Sequence, residues 1–174
     1  MIENNNSNLI NREIQHFRQL WLWVIVLFVS ITTLWGMIQQ LFLGKPFGNN
    51  PSPDIVLVII AVIFGLGFPY ALFKTNLTIE IRSDGLYYRF FPFHLSFHKI
   101  KLEDLVKYKV LTYNPILDYG GWGIRRGSKG KAYNVSGNRG IQLEFSNGKQ
   151  LLIGSQEPEK LAEALDLVLA KRRQ

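Results

Sequence analysis

The chain has 174 residues, 47% of them hydrophobic, no cysteine, and a formal net charge of +7. Without cysteine there are no disulfide staples, thiolate metal sites or cysteine nucleophiles. Three of the 20 Lys/Arg and three of the 13 Asp/Glu precede Phe73, so the whole net charge lies in the C-terminal part.

Residues 1–19 form a short polar segment carrying Arg12 and Arg18, read as a cytoplasmic N-terminal segment. Residues 20–38 (LWLWVIVLFVSITTLWGMI) contain no charge. At about 1.5 Å per residue such a helix spans roughly the 30 Å hydrocarbon core of a bilayer. Ser30, Thr32 and Thr33 are tolerated because a hydroxyl can bond back to a helix carbonyl. The apolar run is too long for a signal peptide and no small-x-small cleavage site follows, so it reads as a retained anchor. Residues 39–54 (QQLFLGKPFGNNPSPD) form an exposed turn containing Pro51 and Pro53. Residues 55–73 (IVLVIIAVIFGLGFPYALF) form a second uncharged span. Both are expected as α-helices, which satisfy their own backbone in lipid. Ala61 and Gly65, with Gly36 opposite, are small enough for close helix packing.

Orientation follows from basic flanks. Arg12 and Arg18 precede the first span, Lys74, Arg82 and Arg89 follow the second, and only Lys45 lies between. The positive-inside tendency puts both termini in the cytoplasm and the chain in the inner membrane. Trp21, Trp23, Phe68, Tyr70 and Phe73 fit an interface belt.

From residue 75 the period changes to two. LTIEIR, a half-buried strand, leads through Ser83-Asp84-Gly85 into LYYRFF, with Gly85 expected to take positive φ in the hairpin turn. Pro92 ends that strand. LSFHKI (residues 95–100) and LVKYKVLTY (residues 105–113) follow as strands. GIQLEF and KQLLIG form another hairpin about Asn147-Gly148. PEKLAEALDLVLAKRR closes the chain as an amphipathic helix presenting Leu161, Leu165 and Val168 on one face, with Pro158 and Glu159 at its start and Lys171–Arg173 at its end. Together these predict an α+β protein: a two-helix transmembrane hairpin, then a domain over 75–174 of about seven bent antiparallel strands, a sheet or barrel capped by a C-terminal helix.

The segments TIEIRSDGLYYRFFPFH, KIKLEDLVKYKV, YGGWGIR, KAYNVSGNRGIQLEF and LLIGSQEPEKL, preceded by two spans, resemble an uncharacterised bacterial and archaeal family of small membrane proteins with a pleckstrin-homology-like (PH-like) domain. The resemblance implies a fold and a membrane address, and no known activity.

The most distinctive stretch is residues 120–140, GGWGIRRGSKGKAYNVSGNRG, with seven glycines, five basic residues and no acid. A strand over 132–135 and a turn at Ser136-Gly137-Asn138, with Gly137 and Asn138 suited to positive φ, are expected within it. Its glycine spacing fits neither dinucleotide nor Walker phosphate loops: Arg126 and Arg125 stand where glycines would be needed. His94 and His98, read as four apart on a strand, would lie roughly 13 Å from one another. That spacing argues against a metal pair. No nucleophile elbow occurs, and the Glu103-Asp104 carboxylate pair lies in a turn between strands where adjacent residues face solvent, so no catalytic residue, cofactor or metal is expected. Nucleic-acid binding is not expected of a tethered domain whose aromatics follow core periodicity.

What remains is a patch of Trp122, Arg125, Arg126, Lys129, Lys131 and Arg139, expected to meet anionic lipid headgroups or a protein partner. The basic motif across the first hairpin of phosphoinositide-binding PH domains is missing: Asp84 and Tyr87 occupy that hairpin. The expected role is a membrane-anchored adaptor or scaffold at the cytoplasmic leaflet. The alternative is a tethered enzyme or small-ligand domain with a pocket beside residues 120–140.

Overall fold

The computed structural model describes residues 9–127 and 129–172. Residues 1–8 of the expected N-terminal segment, Ser128, Arg173 and Gln174 lie outside the described residues. The chain divides into two units, one of residues 17–74 and one combining the N-terminal segment with residues 75–174.

The first unit holds two helices, α1 (Leu20–Leu41) and α2 (Asp54–Lys74), each long and apolar enough to cross a membrane. Their side chains are mostly exposed, including Leu20, Phe28, Ile31, Ile55, Leu66 and Phe73. A soluble protein's core helix would bury such residues. The small residues sit where the helices meet: Ala61 is fully buried, and a Cβ on Gly65 would collide with Leu34 and Thr33. Gly36 does something other than expected, lying beneath the Phe47 ring of the connecting loop. Thr32 and Thr33 donate to their own helix, at Phe28 O (2.8 Å) and Val29 O (2.9 Å).

Ser30 instead donates across to Gly65 O on α2. The reason lies four residues on. Pro69 has no N–H to offer the Gly65 carbonyl, and its ring crowds that oxygen. The preceding turn, Ala61–Gly67, is π-helical. A widened turn of this kind is one way a helix absorbs a proline.

The second unit contains two sheets. The first runs β1 (Leu9–His16), β2 (Asn76–Arg82), β3 (Gly85–Phe91) and β4 (His98–Ile100), all antiparallel. The second has the order β5 (Leu105–Thr112), β8 (Arg139–Phe145), β9 (Gln150–Gly154), β7 (Gly130–Asn134), β6 (Gly123–Gly127). Its β7–β9 pair is parallel. Among the described residues, eight strands lie within 75–174 where about seven antiparallel ones are expected, β1 adds a ninth from ahead of the helices, and the two sheets are not closed into a barrel. The final helix, called α4 (Pro158–Arg172), buries Leu161, Ala164, Leu165 and Val168.

Several local expectations need correcting. The N-terminal segment contributes β1, whose pairing with β2 was not anticipated. That pairing makes β2 a central strand and sets Ile14 and Arg12 beside Thr78 and Glu80; Thr78 and Glu80 are buried, and Arg12 and Arg82 pair with Glu80 at 3.4 and 2.6 Å. Only His98–Ile100 of the expected 95–100 strand pairs. The expected strand at 132–135 lies at Gly130–Asn134. Neither Gly85 nor Asn138 has positive φ; in the latter turn Gly137 takes it.

A short helix, α3 (Pro115–Tyr119), interrupts the strands. The Asn114 side chain caps it by accepting from the N–H groups of Ile116 and Leu117 at 3.1 Å each, Pro115 fills the first turn, and Gly120 closes it at φ 73°.

Candidate functional site

The parallel β7–β9 pair decides which charges meet. Because the two strands run the same way, the residues that lead into them, Lys129 before β7 and 146–149 before β9, lie side by side. Close approach depends on Gly130, whose φ is 98° and whose Cβ, if present, would collide with the Gln150 carbonyl. Between the turns is a groove of about 530 Å³ lined by Arg126, Lys129, Gly130, Lys131, Gly148, Lys149 and Gln150.

Four of the lining residues are cationic and, among the described residues, none is acidic. Lys129 approaches Asp118 at 3.6 Å, and Lys131 Nζ sits 4.8 Å over the Tyr133 ring. Concave clusters of one sign focus potential and attract counter-ions. An anionic group is the complementary ligand.

The six residues expected to form one patch are thus divided. Arg126, Lys129 and Lys131 line the groove, joined by Lys149, which sequence reasoning missed. Its only signal was an NGK turn, and locating that turn required the parallel pairing. Arg125 projects to the opposite sheet face from Arg126, as strand alternation demands; its Nε donates to Trp122 O at 2.9 Å. Trp122 Nε1 donates to Gly137 O at 2.9 Å. Arg139 pairs with Glu159 in the first turn of α4. The Glu159 carboxyl is held below its ordinary value by its own backbone N–H and by Arg139.

The groove lies at the Gln150 end of β9. At the other end, Gly154 O accepts from Gln15 Nε2 at 2.8 Å, one residue before β1 ends at His16. Five residues of strand, about 13 Å, separate the two ends. Arg139 belongs to the Gly154 end, since its neighbour Gly140 is the register partner of Gly154.

A second concavity, about 290 Å³, lies beside α3 and is lined by Lys109, Leu111, Tyr113, Asp118, Tyr119, Lys129, Gln142, Glu144 and Gln150. Gln142 is buried there; its Oε1 accepts from Tyr119 Oη at 3.3 Å and its Nε2 donates to Lys129 O at 3.4 Å. Burial pushes the Tyr119 hydroxyl pKa up.

His94 and His98 are not 13 Å apart. The chain turns after Pro92 instead of continuing as a strand, and the two rings meet edge-on with centroids 4.2 Å apart. His94 also packs edge-on against Tyr133 at 5.4 Å. Burial, then the charges of His98 and Lys131, hold its imidazole below its ordinary pKa.

Two apolar helices carried between the first two strands of a two-sheet α+β domain with a basic groove define the class of this protein. Residues 2–171 match a family of unknown function, DUF6141, and the chain belongs to that family. No curated protein matches it.

Proposed function

We propose that this protein is a membrane-anchored adaptor whose PH-like domain is held against the cytoplasmic leaflet and meets anionic partners there. One observation carries the reading. His16 and Asn76 are register partners at the ends of β1 and β2, and both apolar helices lie between them in the chain. The links are short: residues 17–19 before α1, and Thr75 after α2. Two apolar helices that begin and end at one point of a folded domain make a hairpin, with both open ends on the same side of the bilayer. Basic flanks on Arg12, Arg18, Lys74 and Arg82 favour the cytoplasmic side. Two sheets followed by a packed C-terminal helix support the PH-like assignment, with a strand donated from ahead of the spans as the departure.

The groove of Arg126, Lys129, Lys131 and Lys149 is the contact surface in this reading, for acidic protein segments or lipid phosphates. Reporter fusions at Asn50 and at Gln174 test the topology. Opposite sidedness is expected; the same sidedness at both positions would end the hairpin reading. Flotation of the protein domain with anionic and zwitterionic vesicles tests the lipid half. Retention by anionic vesicles is expected to fall when the four groove cations become Gln.

A second reading, a tethered enzyme or small-ligand domain, is favoured by the concavity beside α3, which is lined by buried Gln142 together with Asp118 and Glu144. Ligand-induced shifts in thermal unfolding that vanish in Gln142→Leu would move the assignment to it.

A further inference from the structure

We propose that the basic groove and the concavity beside α3 are two halves of one peptide-binding surface. Its occupant is an extended acidic segment with a tyrosine or tryptophan close to its acids. The site rests on the reading of the groove as an anion contact and extends it to the second half of the occupant.

The two hollows adjoin. Lys129, just ahead of β7, and Gln150, the first residue of β9, line both. Gln142 on β8 is the register partner of Leu152 on β9, and Leu152 is the partner of Ala132 on β7. Neighbouring strands lie about 4.8 Å apart, so Gln142 is about 10 Å from the strand that carries Lys131, the reach of about three extended residues. Gln142 Nε2 donates to Lys129 O at 3.4 Å, which fastens the concavity to the residue it shares with the groove.

The halves differ in charge. The groove is lined by four cations and, among the described residues, by no acid. The concavity is balanced, with Lys109 and Lys129 against Asp118 and Glu144. A carboxylate is therefore drawn to the groove, while the concavity suits an uncharged group. Its floor is Tyr113 and Tyr119 with Leu111, packed on buried Ala132 and Leu152. An aromatic ring is complementary to such a floor. Asp118 is engaged with Lys129 at 3.6 Å, whereas half-buried Glu144 has no ion-pair partner among the described residues. Its carboxylate is an acceptor for a phenol O–H or an indole N–H, which a phenylalanine or leucine would leave unused. A lipid phosphate is complementary to the groove alone. A peptide with both features is complementary to both halves, which favours a protein partner.

The test uses the whole chain in a neutral detergent and fluorescent peptides read by anisotropy. One peptide carries four glutamates and, three residues on, a tryptophan. A second has alanine for the tryptophan, and a third has glutamine for the glutamates. The first is expected to bind about tenfold tighter than the second, the scale of one buried aromatic anchor. The third is expected not to bind. Lys109→Trp, at an exposed strand position that tolerates an aromatic, fills the concavity from its rim and should bring the first peptide down to the affinity of the second. With benzoylphenylalanine in place of the tryptophan, photocrosslinks are expected within residues 109–119 or 142–144. Equal affinity of the first two peptides, or crosslinks elsewhere, overturns the two-part site. If both peptides then weaken when Arg126, Lys131 and Lys149 become Gln, the groove reading survives without it. Binding of neither peptide, with anionic vesicles still retained through those cations, overturns the proposal and leaves the groove to lipid phosphate. Binding of neither, with vesicle retention indifferent to the cations, ends both.

Discussion

His16 and Asn76 face one another across the β1–β2 ladder, although everything between them in the chain is the helical hairpin and its short links. The domain is therefore built around an insertion. A two-residue Asn-Gly turn matches the twist of an antiparallel pair. Replacing residues 17–74 and Thr75 by Asn-Gly is expected to yield a water-soluble domain that unfolds cooperatively in urea. Residues 75–174 alone lack β1 and expose the edge of β2, so they are expected to be less stable and to aggregate. Equal stability of the two chains would show that β1 is dispensable.

β1 is also fastened to the far side of the domain. Glu13 accepts from Ser155 Oγ and from Gln156 N at 2.7 Å. Removing the carboxylate in Glu13→Ala strands a buried hydroxyl and a backbone donor, and is expected to cost about 1–3 kcal/mol. Ser155→Ala removes one of the two bonds and is expected to cost about 1 kcal/mol. The two changes share a partner, so the double variant should lose less than their sum. Urea unfolding of the soluble domain measures all three.

In the helical hairpin, Ser30 supplies the hydroxyl that Pro69 makes necessary. Interhelical hydrogen bonds in membranes contribute about 0.6 kcal/mol and reach about 1.7 kcal/mol. Ser30→Ala is expected to weaken the hairpin within that range, by steric trapping or detergent unfolding. In a Pro69→Ala background the residue-69 N–H is restored to the Gly65 carbonyl. There the same substitution should cost measurably less, and an unchanged cost would sever the link between Ser30 and Pro69.

The groove cations repel one another in the folded domain. Lys129 is left in place because it pairs with Asp118 at 3.6 Å; converting Arg126, Lys131 and Lys149 to Gln is expected to raise stability at low salt by roughly 0.5 kcal/mol, the size of exposed charge interactions. The gain should vanish at 1 M salt, where the screening length falls to about 3 Å. Urea midpoints at the two salt concentrations decide it. Loss of stability at low salt would mean that these charges are engaged in pairs that hold the turns together.

His94 gives the domain a pH dependence of definite sign. Its folded pKa lies below the ordinary 6.5, so the unfolded chain takes up a proton first as pH falls. The contribution of neutral His94 is complete above 6.5 and is lost progressively as pH drops from there through the folded value. The urea midpoint of the soluble domain is expected to fall across that window, and His94→Gln should flatten the profile. An unchanged profile in His94→Gln would assign the acid sensitivity to other groups.

Much of this architecture is legible in local sequence pattern. Uncharged runs give α1 and α2, since length and apolarity suffice to define a helix that fits lipid. The alternation in LTIEIR and GIQLEF marks β2 and β8, and the spacing of Leu161, Leu165 and Val168 gives the buried face of α4. Residues 120–140 announce a basic surface, and three of its cations do line the groove.

The rest depended on partners distant in the chain. β1 carries no apolar alternation because its inward residues are polar: Gln15 is buried against Gly154 O and Glu13 engages Ser155, while Ile10 and Ile14 face outward. A strand whose inner face is satisfied by hydrogen bonds leaves no period-two signal. The parallel β7–β9 pair is equally silent, because alternation reports which face of a strand is buried and not which neighbour it takes or in which direction. That single choice of direction brings Lys149 beside Arg126, Lys129 and Lys131 and leaves Arg139 a strand's length away. The sequence by itself determined two apolar helices, a β-rich basic domain and a closing helix; only the tertiary pairing decided that β1 and β2 bracket the helices and that four cations share one groove.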